Sequence, residues 1–152
     1  MRYRRETKPR KRIPWYDEEI NVIAETLCEM SGNTIPSDVR IYCVNQRRGY
    51  WTPSKRYITI PDWVILKSKG EDGYKYAKGY DIYYIAHELA HMVVTEIMKA
   101  YKVRFGHYPN YAPHGKEFMR EFKKLCPKEY WHYEIDYKPR NAKMAGISEK
   151  KC

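Results

Sequence analysis

Two imidazoles and a carboxylate within five residues, in His87-Glu88-Leu89-Ala90-His91, are the side chains of this sequence best suited to chemistry. On a helix, positions four apart lie about 40° apart around the axis and one turn along it, so His87 and His91 can reach one metal ion together. Glu88 falls beside that face, placed to take a proton from water activated by the metal and not to bind the ion itself. The chemistry expected is metal-dependent hydrolysis, with Zn2+ as the ion. Composition alone would produce this pattern roughly 0.01 times in a chain of 152 residues with five histidines, so accident is a minor reading. The bland alternative is a buried helix whose histidines only satisfy hydrogen bonds.

The surrounding elements favour the chemical reading. Asp81 can cap a long helix ending near Tyr101, on which Ile82, Ile85, Ala86, Leu89, Val93 and Ile97 form an apolar stripe. Tyr84, His87, His91, Val94 and Met98 fall on nearly the opposite side, so this helix is central: one face makes core and the other floors a cleft. Before it, Asp17 can cap a helix to about Met30, and Val39 to Val44 alternates as a half-buried strand. Tyr50-Trp51 and Arg56 to Ile60 read as further strand, interrupted near Pro53 and ended by Pro61, with a short helix over residues 62 to 66. Residues 67 to 79 and 102 to 112 read as loops. Pro113 suits the first turn of a helix burying Phe118, Met119, Phe122 and Leu125, and Tyr130 to Tyr137 reads as a strand.

A catalytic zinc needs a third protein ligand if its fourth position is to hold water. Val94 and Ile97 stand where a metzincin would need Gly and His, which excludes that pattern. Downstream, His107, His114 and Glu117 are the candidates. His114 is preferred because it opens the phrase His114-Gly115-Lys116-Glu117-Phe118 at the start of a predicted helix, where the dipole disfavours protonation and leaves the ring free for a metal.

HELAH followed roughly twenty residues later by HGKEF resembles the SprT-like (Spartan-type) metallopeptidases, and Arg48 to Ile65 resembles more weakly the strand pair that precedes their catalytic helix. The resemblance spans roughly residues 17 to 126. It implies zinc held by His87, His91 and His114, with Glu88 as the catalytic carboxylate. It also implies an α+β fold of minimal gluzincin-like, zincin type, in which a small antiparallel sheet packs against helices and the metal site lies on a central helix. Many family members carry a second zinc module of paired cysteines; here only Cys126 and Cys152 remain in that part of the chain, so that module is absent or replaced. Family members act on proteins bound or crosslinked to DNA, which extends the expectation to a protein substrate and a DNA partner.

Charge agrees with a polyanionic partner. The chain carries a net +10, and residues 1 to 14 form a basic arm with Arg2, Arg4, Arg5, Lys8, Arg10, Lys11 and Arg12 against Glu6 alone. The protease domain is expected over residues 15 to 137 and a basic polar tail over 138 to 152. No apolar stretch follows the arm and none is long enough for a membrane span, so a cytoplasmic protein is expected, with no membrane partner. Cys28, Cys43 and Cys126 fall beside apolar residues as reduced core thiols do. Oxyanion support beyond zinc could come from His107, Tyr111 or His132. Two other functions compete. A regulator-cleaving or antirestriction zinc protease would use an acidic third ligand, Glu117 or Glu121. A non-catalytic nucleic-acid-binding module with a structural metal would use the arm with Tyr3, and Tyr50 and Trp51 beside Arg47 and Arg48.

Overall fold

Asp17, Glu18 and Glu19 crowd the first turn of a helix, where they complement the positive end of its dipole. In the computed structural model, which describes residues 9–137, this helix is α1, Asp17–Ser31. It buries Ile20, Ala24, Leu27 and Cys28, one face at helical spacing. Asp17 does not cap it as expected. Tyr16 holds the cap position, and the Asp17 carboxylate instead accepts the Cys43 amide proton at 2.7 Å and an Arg12 guanidinium at 3.0 Å. These bonds tie α1 to the sheet and to the end of the expected arm. There, Arg12 bridges to Val44, Ile13 N–H donates to the Cys43 carbonyl, and Arg12 also lies over the Tyr42 ring.

The sheet is mixed, which corrects the antiparallel arrangement expected. Strand β1, Arg40–Val44, runs parallel to β3, Tyr57–Pro61, while the two-residue β2, Trp51–Thr52, pairs antiparallel with β3. The order is β1-β3-β2: the chain leaves β1 for the far edge, and the β2–β3 hairpin then turns back into the gap. Residues 53–56, where the sequence suggested only an interruption near Pro53, form the turn of that hairpin. The partner on the other side of β3 depends on where the chain from Asn45 to Tyr50 travels. All five β3 residues are buried, as befits a central strand covered on both faces.

Helix α2, Asp62–Lys69, outruns the expected end at Leu66, and α3, Tyr80–Phe105, outruns Tyr101. Gly79, not Asp81, is the residue that opens α3; it sits at φ 73, and the Asp81 carboxylate accepts the Ile82 N–H within the first turn. A Cβ at Gly79 would lie 2.1 Å from the Tyr130 ring as well as occupying left-handed backbone. Gly79→Ala should therefore destabilise the protein by about 1–3 kcal/mol, seen as an earlier thermal melt; an unchanged melt would mean that the Tyr130 contact does not set the entry of α3.

Helix α3 packs on α1, on α2 and on α4, Lys116–Leu125. Ile85, Ala86, Leu89 and Val93 are buried as the stripe requires, and Val94 and Met98 are buried on the other side. Ile97 is the exception, 47% exposed, and Val103 and Phe105 farther along are exposed too. Phe118, Met119, Phe122 and Leu125 of α4 all enter the core, with the free thiols of Cys28, Cys43 and Cys126. Residues 130 to 137 are not a strand. A 3-10 turn, Lys128–Tyr130, leads into α5, Trp131–Tyr137. Helical spacing buries Tyr130 and Glu134 while leaving His132 exposed; in a strand all three would share one face. Among the described residues no helix is long and apolar enough to cross a membrane.

Candidate metal centre

The chain brings His87, His91 and His114 together. Four-residue spacing on α3 sets the first two rings 5.0 Å apart, and the third arrives from the turn ahead of α4. His114 is thus not in the first turn of that helix as expected: Gly115 holds the cap position. What seats it is apolar packing. Phe118, fully buried one turn into α4, has its ring centre within 4.8, 4.5 and 5.0 Å of the His87, His91 and His114 rings respectively. One phenyl ring therefore floors all three imidazoles.

His114 Nε2 lies 3.0 Å from His91 Nε2 and 3.3 Å from His87 Nε2. Four ligands around zinc at its usual bond length would be separated by about 3.3 Å, so these nitrogens already mark edges of such a tetrahedron. A single Nε2–H on His114 can satisfy one neighbour, whereas a cation can receive a lone pair from each ring. The donor set fits a divalent ion of zinc type, and among the described residues it is the one group of three able to hold a metal. Behind His87, its Nδ1 is 2.6 Å from Oε1 of Glu134, a carboxylate with 0% exposure. The Tyr83 hydroxyl donates to the same oxygen at 3.4 Å, and burial, then the Glu134 charge, push the Tyr83 pKa up so that it stays a donor.

Glu88 lies beside the cluster, 7% exposed, and accepts the Trp51 backbone N–H at 3.2 Å. Burial pushes its pKa up to about 7; His87 and the Trp51 amide oppose this, and the Glu134 charge adds to it. A carboxyl balanced near neutrality can both take and return a proton. The β2 strand that orients it is pinned to α3 twice. Trp51 Nε1–H donates to the Thr95 hydroxyl at 3.0 Å, and Arg56, 5.4 Å from the Trp51 ring, bonds Glu96 and Asp38.

His87, Glu88, His91 and His114 line a cleft of about 1070 Å³, together with Tyr50, Trp51, Trp63, Tyr84 and Tyr111 and with Arg47 and Arg48. Gly49 belongs to that lining: its N–H donates to the Tyr84 hydroxyl, and a Cβ there would fall 2.1 Å from the Thr59 carbonyl oxygen. Of the residues expected to assist, Tyr111 lines the cleft; His107 and His132 are exposed and bond backbone carbonyls elsewhere. Glu117 and Glu121 lie outside the histidine group, Glu121 being buried within 3.5 Å of Lys124. Tyr3 lies outside the described residues.

Phe118, Glu134, Tyr83 and the Trp51 amide were not assigned to the site from sequence. A helical reading of residues 130 to 137 would have exposed Glu134 as a carboxylate on a buried face; the Trp51 amide, a backbone group, leaves no signal. The chain matches no protein-family model, no curated protein and no solved structure.

Proposed function

We propose that this protein is a zinc-dependent endopeptidase of SprT-like, zincin type, acting on protein segments laid into the cleft, with DNA as a partner. The observation that carries the reading is the convergence of three imidazole Nε2 atoms with the buried Glu88 carboxylate at the floor of an open aromatic cleft. His87, His91 and His114 would hold the ion. Zinc, when bound, supplies Lewis-acid activation of water and of the scissile carbonyl. Glu88 takes the proton of the attacking water and hands it to the departing amine, while the Trp51 amide keeps its carboxylate aimed. Tyr111, in the cleft wall, is the candidate to donate a hydrogen bond to the oxyanion as it develops.

Metal content and cleavage of an unfolded protein, with and without single- and double-stranded DNA, test the reading. One zinc per chain is expected, with cleavage that stops on chelation and returns with zinc. Cleavage that survives full removal of metal would end the proposal. The DNA partner rests on the +10 charge and on Arg47 and Arg48 beside the cleft. Deleting residues 1 to 8 spares the Arg12 bridge to β1 and should weaken DNA binding and flatten its salt dependence. Equal salt slopes with and without the arm would remove it from the interface.

A further inference from the structure

We infer that Glu134, delivered by the last described helix, is the positioning residue of the metal centre, and that high-affinity metal binding therefore requires α5 to be docked. The inference rests on the metal-binding reading of the three histidines and deepens it.

A carboxylate with no exposure is costly to bury, and replacing a buried ionic group with an apolar residue of similar size is often neutral or stabilising. Packing alone thus gives no reason for an acid at this position. Its hydrogen bonding points to one task. Oε1 receives the His87 Nδ1 contact at 2.6 Å and the longer Tyr83 hydroxyl at 3.4 Å, while the buried Oε2 has no hydrogen-bond partner. The short contact of the set is thus the one to a candidate metal ligand. Held this way, His87 carries its proton on Nδ1 and turns the Nε2 lone pair towards the other two imidazoles.

Helix α5 brings Glu134 to this place through contacts that do not themselves involve the histidines. The Tyr133 hydroxyl donates to the Lys78 carbonyl at 2.7 Å, its ring packs on Tyr80 and Tyr83, and Trp131 Nε1–H donates to the Cys126 carbonyl at 2.8 Å. The element that orients a ligand therefore comes from a different part of the chain than the ligands. An ion that prefers the docked arrangement must in turn stabilise the docking, since the two equilibria are linked.

The test uses the full chain with Co2+ as the probe, read by its visible spectrum and by competition with a chromophoric chelator. Glu134→Gln keeps shape and removes charge; it should weaken Co2+ binding about tenfold and alter the spectrum, and Glu134→Ala should fall towards 100-fold. In the wild type, Co2+ should slow amide exchange across residues 131 to 137, and in E134Q it should do so less. A purely structural Glu134 would lower the melt of the metal-free variants and leave affinity alone. E134Q binding within about threefold of wild type, with an unchanged spectrum, overturns the inference even if E134A fails to fold. Wild type that binds no Co2+ would instead overturn the metal-centre reading, which His114→Ala, run alongside, checks separately.

Discussion

Glu88→Gln should keep its zinc and lose peptide cleavage by about 10²–10⁴-fold, the range that a positioned acid–base group contributes. The amide preserves shape and the contact with the Trp51 N–H but cannot accept the proton of the attacking water. A second result follows from burial. Folding raises the Glu88 pKa from 4.5 to about 7, so the folded metal-free protein binds the proton more tightly than the unfolded chain does. The stability this provides is complete below about pH 4.5 and drains away as pH rises through about 7, amounting to at most about 3 kcal/mol. Gln does not titrate. Metal-free E88Q should consequently lose less stability than wild type between pH 4.5 and pH 8 in urea melts. Parallel curves would show that Glu88 is not desolvated, and cleavage by E88Q at the wild-type rate would remove it from the chemistry.

His114→Ala should weaken zinc binding by more than about 100-fold, a loss beyond that of removing a group behind a ligand. Glu117→Gln and Glu121→Gln should leave binding near wild type, since neither carboxylate belongs to the histidine group. Thermal melts with and without zinc provide the readout. A site holding zinc at a thousand times its dissociation constant gains about 4 kcal/mol, and a two-histidine remnant weakened 100-fold or more keeps no more than about 1.4 kcal/mol of it at the same zinc concentration. Full affinity in H114A, or loss in E117Q, would replace the three-histidine centre with the mixed histidine–carboxylate set weighed as its competitor. The substitution leaves Phe118 in place, so the floor under His87 and His91 persists and the comparison isolates the ligand.

The two readings of residues 130 to 137 show where local pattern fails. Eight residues rich in tyrosine alternate well enough to satisfy a strand, and only the surface they pack against selects the 3-10 turn and helix that bury Tyr130 and Glu134 together. The same limit applies to the sheet. The interruption near Pro53 separated the residues of β2 from those of β3, but the parallel partner β1 is joined to β3 through contacts that no short window contains. At Ile97 the stripe is real and its burial is not.

By itself, the sequence determined the part of the candidate metal centre nearest in chain: His87, Glu88 and His91 needed only helical periodicity to share one side of α3, and HGKEF marked His114 as a residue to join them. Periodicity is a local property, written in every four residues. Tertiary structure alone decided what makes those groups a site. It set the nitrogens 3.0 and 3.3 Å apart, put one phenyl ring beneath three imidazoles, aimed a backbone amide at Glu88 and buried Glu134 behind His87. Each of these joins segments 20 to 50 residues apart, and such distances are fixed by how helices and strands pack, not by the order in which their residues occur.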